Sequence, residues 1–209
     1  MRVAIFDFDR TLFPEETFPL LMKHLKTHPQ KYRSFMSRIL PIYAAYKCKL
    51  YPEQRMREHS MRSYISAFGK VPETEVNQFF SQLGSMMSEK LSEPMLARLQ
   101  QHREDGYYIM LVSGAFQPLL NSVAAKLPFD EVIGTNFHKK NLQYINGSRK
   151  REVVHERLSH MEVDWENSFA YGDSYTDLNV LELVGNPVAV QPEPRLLEVA
   201  SRRQWEILA

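Results

Sequence analysis

Acids, hydroxyls and one lysine stand at the ends of short apolar runs in this chain. Asp7, Asp9 and Thr11 follow directly on VAIF (3–6) in the string DFDRTLF. Ser113 and Gly114 follow YYIMLV (107–112), and Gly172, Asp173, Ser174 and Asp177 follow SFAY (168–171) in GDSYTD. Lys150 heads a helix-like segment. If these groups meet, four carboxylates repel one another and keep their charged forms only with a cation among them. Every ligand in the set is a hard oxygen, and no Cys–His constellation accompanies it, which favours Mg2+ over zinc or copper. A lysine and a hydroxyl beside such a metal complement phosphate oxygens, and backbone N–H groups opening the helix after Ser113 add an anion site. A carboxylate can itself be the nucleophile and form an aspartyl-phosphate. Hydrolysis by that route needs a second group that protonates the leaving oxygen and later activates water. Asp9 has that chemistry if its side chain turns toward the leaving group.

Such a meeting requires elements that end at one edge. Apolar runs at 3–6, 107–112, 131–135, 168–171, 188–190 and 205–208 are too short for helices and do not alternate, as expected of parallel strands covered on both faces. Helix-like segments lie between them at 94–105, 116–126, 150–161, 174–184 and 194–203. The first has Pro94 near its start and Gly106 past its end. Strands alternating with helices indicate an α/β fold, a Rossmann-like parallel sheet flanked by helices, in which ligands bind beyond the carboxyl ends of the strands. Residues 14–93 break the rhythm: rich in Met, Tyr, Lys and Arg, they are divided by Pro29, Pro41, Pro52 and Pro72 into helix-sized pieces. They read as a helical insertion after the first strand. Near 139–148, the Asn146-Gly147 pair suggests a small hairpin or flap.

These motifs resemble those of the haloacid dehalogenase-like (HAD) phosphatase superfamily. DFDRT fits its DxDxT motif, LVSG its second motif, Lys150 its third and GDSYTD its GDxxxD motif, all in the family's order from residue 3 to about 180. The C-terminal part further resembles the subclass containing phosphoserine phosphatases, which carries a helical cap inserted after the first motif. The resemblance implies a catalytic core of residues 1–13 and 94–209, a cap of residues 14–93, and a Mg2+-dependent phosphomonoester hydrolase. Its substrate would be a small phosphorylated metabolite, phosphoserine-like compounds among them. It further implies Asp7 as nucleophile and metal ligand, and Asp9 as general acid/base with its backbone carbonyl on the metal. Thr11 would orient the acids, Ser113 and the Gly114 amide would bind the phosphoryl group, and Lys150 would neutralise phosphate charge and hold Asp7. Asp173 would ligate Mg2+, Asp177 would support the metal site, and Glu16, in a Glu16-Thr17 pair, would meet a substrate ammonium. Arg10 stands where the family often has Gly or Ser, and Arg55, Arg57 and Arg62 compete for the role of a cap arginine holding a carboxylate.

Composition narrows the alternatives. The 209 residues, 44% hydrophobic and 24% charged, suit a globular chain, and 26 basic against 25 acidic side chains leave +1. That balance argues against nucleic acid as a partner: only Arg55, Arg57, Arg62 and Lys139-Lys140 form a weak basic patch. No apolar stretch approaches the ~18 residues of a membrane span. One cysteine, Cys48, excludes an internal disulfide and fits a reducing compartment. With no signal-peptide pattern ahead of the first run, the expected location is cytoplasmic. His24 and His28 have metal-ligand spacing but no accompanying glutamate, and read as a solvated face. The Met and Tyr residues of the insertion read chiefly as helix packing. Competing functions are a phosphotransferase or mutase on the same core, and a phospho-receiver, which needs neither the insertion nor the Asp9 acid/base. Oligomeric state is not legible.

Overall fold

The computed structural model describes residues 1–138 and 141–208, so the Lys139-Lys140 pair lies outside the described residues. The sheet has seven strands: β1 (Val3–Phe6), β2 (Tyr108–Phe116), β3 (Glu131–His138), β4 (Asn141–Gln143), β5 (Phe169–Gly172), β6 (Asn186–Val190) and β7 (Glu206–Leu208). Their order is β4-β3-β2-β1-β5-β6-β7. All neighbours pair in parallel except β4, which lies antiparallel on the edge of β3. β1 is central, which is why all four of its residues are buried apolar groups. Ala4 and Phe6 face one hydrophobic layer and Val3 and Ile5 the other.

The layer on Val3 and Ile5 is closed by α7 (Ser148–Leu158), α8 (Leu178–Leu181) and α9 (Pro194–Arg202), through Val153, Val154, Leu181 and Leu196. The layer on Ala4 and Phe6 is closed by α5 (Glu93–Glu104), α6 (Gln117–Ala124) and the insertion. Among the described residues, 14–93 hold no strand; they form α1 (Thr17–Lys26), α2 (Pro29–Lys47), α3 (Glu53–Ala67), α4 (Glu73–Met87) and a 3₁₀ turn, Ser88–Lys90. Phe80 of α4 packs its ring 4.3 Å from that of Phe116 and 6.2 Å from that of Tyr64, so the insertion and the sheet share one aromatic cluster. Gly84 lets α4 lie against the Leu119 backbone of α6, where a Cβ would collide.

Four local expectations change. Pro29 starts α2, and Pro52 and Pro72 precede α3 and α4, but Pro41 lies inside α2. Pro41 and Ser37 are both exposed, so the Ser37 carbonyl that loses its helical donor can take water instead. β2 continues four residues past the expected 112, because beyond a register shift it still pairs Phe116 with Thr135. Ser113 and Gly114 therefore sit in an irregular stretch of strand. The helix expected at 174–184 is a 3₁₀ turn (Tyr175–Asp177) followed by the short α8, which ends at Leu181; beyond it Gly185 N–H donates to Trp165 O at 2.8 Å. Finally, the hairpin is β3 with β4, and the Asn146-Gly147 pair instead leads into α7, with Gly147 at φ 55° as its N-cap.

Candidate active site

The carboxyl ends of β1, β2 and β5 bring the sequence-selected residues to one cavity of about 490 Å³, with Asp7, Asp9, Ser113, Gly114, Lys150 and Asp173 on its wall. Asp7 directly follows β1, and its amide donates to Tyr171 O of β5 at 3.0 Å, which ties the two acid-bearing strand ends together. Lys150 comes from the first turn of α7. Its neighbour Arg149 pairs with Glu152 and Glu156 at the surface, while Lys150 turns inward, 4% exposed. Its Nζ donates to Asp7 Oδ1 at 2.5 Å and to Asp177 Oδ1 at 2.6 Å.

Asp177 is held twice. Its other oxygen accepts from the Ser174 amide at 3.1 Å and the Ser174 hydroxyl at 2.9 Å. Gly172 makes room for it: a Cβ there would stand 2.7 Å from the Asp177 Cβ. Ligand oxygens of Asp7, Asp173 and Asp177 lie within 4.8 Å of one another, and all three residues are buried. Asp7 and Asp173 reach the cavity wall, and Asp177 stands behind them.

Three buried carboxylates face one buried ammonium, and the acidities register the imbalance. Burial pushes Asp7 up to about 7 against the pull of Lys150, with Asp177 adding to the rise. Burial, then Asp7 and Asp177, push Asp173 up to about 8. Burial alone would lower Lys150, but Asp177 and Asp7 more than offset it and hold the ammonium above its ordinary value. A divalent cation at Asp7 and Asp173 would relieve this charge excess, and an all-oxygen donor set suits Mg2+.

Asp9 is not in that cluster. Burial pushes it up to about 6, opposed by two hydrogen bonds to Thr17. The Thr17 amide donates to Asp9 Oδ1 at 3.0 Å and the Thr17 hydroxyl donates to the same oxygen. Thr11 was expected to orient these acids. Its hydroxyl is buried with no hydrogen-bond partner among the described residues, and it is not on the cavity wall. Arg10 at φ 55° turns the chain so that Thr11 N–H donates back to Phe8 O. Thr17 holds Asp9 through its amide and its hydroxyl.

Glu16 lies on the wall beside Thr17. Of the three competing arginines only Arg57 reaches the wall, and it is bound to Glu53 at 2.8 Å. Arg62 pairs with Glu58 at 2.8 Å, and Arg55 is exposed. Arg10 reaches Asp173 at 3.6 Å and donates to Gln191 O at 3.3 Å. Ser113 Oγ accepts from the Ala115 amide at 3.2 Å. Gly114 matters for space: a Cβ would stand 3.1 Å from Ile145 O, so its absence admits the 144–146 segment, which brings Tyr144 and Asn146 to the wall. Sequence reasoning missed both. Their signal was position alone, four to six residues before Lys150.

A model of the haloacid dehalogenase-like hydrolase family matches residues 4–182. The chain is 27% identical over 158 residues to the inhibition of morphological differentiation protein of Streptomyces azureus, covering 71% of this chain and 57% of that one. It spans about half the length of the curated relatives it first matches. Among solved structures, a protein of unknown function from Bordetella pertussis Tohama I superposes with TM-score 0.76 at 20% identity, covering 100% of this chain and 98% of that one. A phospho-aspartyl intermediate analogue of phosphoserine phosphatase superposes with TM-score 0.64 at 18% identity, covering 99% and 92%. At these identities the likeness is one of fold.

Proposed function

This chain belongs to the haloacid dehalogenase-like hydrolase family, and on that footing we propose that it is a phosphomonoesterase working through an aspartyl-phosphate on Asp7. The observation that carries the reading is the Asp7–Lys150–Asp177 ion network at the wall of a cavity that also holds Asp9 and Ser113. Asp7 and Asp173 would hold the cation, which when bound supplies neutralising charge for the phosphoryl oxygens. The Ser113 hydroxyl and the Gly114 amide bind that group, and Lys150 keeps the Asp7 carboxylate oriented.

An Asp7 oxygen attacks phosphorus and the ester P–O bond breaks. The departing oxygen takes a proton from Asp9, whose raised acidity constant suits a donor near neutral pH. In the second step Asp9 takes a proton from water, the water oxygen attacks phosphorus, and inorganic phosphate leaves with the Asp7 carboxylate restored. The helical insertion over the cavity acts as the cap that limits bulk water. The lone cysteine, Cys48, supports a reducing, cytoplasmic setting; no described helix is long and apolar enough to cross a membrane.

The test is phosphate release from a generic ester such as p-nitrophenyl phosphate. EDTA is expected to abolish it and Mg2+ to restore it, with free phosphate equal to ester consumed. Full activity in metal-stripped protein would overturn the reading, and phosphate recovered on an added sugar would turn it toward a transferase.

A further inference from the structure

The cavity that begins at the acids extends well beyond them. Past Thr17 its wall passes to α1, α2 and α3 and becomes apolar, with Phe18, Leu21, Phe35, Met36, Ile39 and Met61 lining it. Its volume of about 490 Å³ falls in the ~300–1,000 Å³ range of pockets that enclose a drug-sized ligand. Two of the six are methionines, whose unbranched thioethers adapt to differently shaped apolar guests. At one end the wall reaches Leu40 and Tyr43, which are 56% and 43% exposed.

Charge on the wall points the same way. Three cations line the cavity, and each already has an acid: Lys150 has Asp7 and Asp177, Arg10 has Asp173, and Arg57 has Glu53. A carboxylate on the leaving group would have to compete with these acids for a cation, whereas a hydrocarbon body would gain by leaving water. Asp9, Thr17 and Phe18 line one and the same cavity, so a leaving group protonated by Asp9 shares its space with the apolar wall.

We infer that the substrate is a phosphate monoester whose leaving group carries an extended apolar body seated in this chamber. The inference rests on the phosphomonoesterase reading for its chemistry and sharpens its substrate class. A compact zwitterion such as phosphoserine leaves most of the apolar wall unused.

Two measurements on the full chain with Mg2+ separate the chamber from the chemistry. Binding of n-alkylphosphonates, ethyl to octyl and below micelle-forming concentrations, reads the chamber by calorimetry without turnover, since their C–P bond is not an ester. Kd should fall about two- to fourfold per added methylene until the chamber is filled; a Kd independent of length overturns the inference. Met36→Gln should flatten that series. Should it fail to fold, Tyr43→Ser at the exposed end should cost only the gain from the longest chains. Turnover of n-alkyl phosphates against O-phosphoserine reads the reaction. A kcat/KM that climbs with chain length supports the inference, and a preference for phosphoserine over octyl phosphate overturns it while leaving the phosphatase intact. Length-dependent phosphonate binding with no phosphate released from any ester would keep the chamber and remove the phosphatase.

Discussion

The floor and the upper wall of the cavity are built on different physics. On the floor, strand ends fix a few polar groups, and three of the acids are held by named donors: Asp7 and Asp177 by Lys150, Asp177 also by Ser174, and Asp9 by Thr17. The upper wall is helical and carries Phe, Leu, Ile and Met from α1, α2 and α3. The floor acts through charge and through placement to a fraction of an ångström. The wall acts through apolar area, which tolerates exchange among side chains of similar volume. On the proposed reading the floor sets reaction type and the wall substrate class, and substitutions should divide along the same line.

The largest effect expected on the floor is from Asp7→Asn, which keeps the side chain's size and removes the charge of the oxygen proposed to attack. Phosphate release should drop to the uncatalysed background. The phosphonate series should keep its dependence on chain length, because the wall is untouched. Turnover within tenfold of the parent would remove Asp7 as nucleophile, and loss of the length dependence would mean that floor and wall are not separate.

The same division explains what the sequence alone disclosed. Carboxylates after apolar runs can be placed without knowing any packing, because parallel strands deliver their carboxyl ends to one edge. The meeting of Asp7 and Asp173 was therefore legible, and so was the alternation of strand and helix, whereas Lys150, inside the run Arg149-Lys150-Arg151, was singled out by the family resemblance. Thr17 was not legible as the holder of Asp9. Thr11 sits closer in sequence, and only the left-handed backbone at Arg10 and the start of α1 decide which hydroxyl arrives. Tyr144 and Asn146 depended on a close approach that Gly114 permits. The apolar wall was hardest, since a methionine facing a cavity and one filling a core have the same local sequence pattern. Pro41 misled for a related reason: whether a proline breaks a helix depends on whether the freed carbonyl can meet water.

Beneath the floor, His102 of α5 offers a second way to probe its rigidity. Its Nε2 and the Tyr171 hydroxyl are 2.7 Å apart, and Tyr171 stacks on Phe6, the residue before Asp7. Burial, with Arg98 adding, holds the His102 ring down to about 4. The ring stays neutral in the fold while in the unfolded chain it protonates near pH 6.5. As pH falls below that value the unfolded state binds a proton that the folded state refuses. Stability is lost until the folded ring titrates near 4. The loss from this group between pH 7 and 5 is about 2 kcal/mol. Denaturation curves at the two pH values check it as the difference between the parent and His102→Gln. An unchanged pH slope in the variant would mean that His102 is not the group responsible.

The smallest expected effect falls where the two regions join. Thr17 is the first residue of α1, and hence part of the insertion, yet its hydroxyl and amide hold the floor's Asp9. Thr17→Val keeps the amide bond and the volume but removes the hydroxyl's hydrogen bond to a carboxyl group, a change of about 1–2 kcal/mol. We expect kcat to fall about tenfold with KM nearly unchanged on alkyl phosphates, whose leaving oxygen needs the Asp9 proton. The loss should be smaller on p-nitrophenyl phosphate, whose leaving group departs without help. Thr17→Ser should restore most of the rate. An equal loss on both esters, or no rescue by serine, would show that Thr17 merely supports α1 and that the insertion does not set the acid's position. A loss confined to the poor leaving group would make α1 the element that joins the apolar wall to the position of the acid.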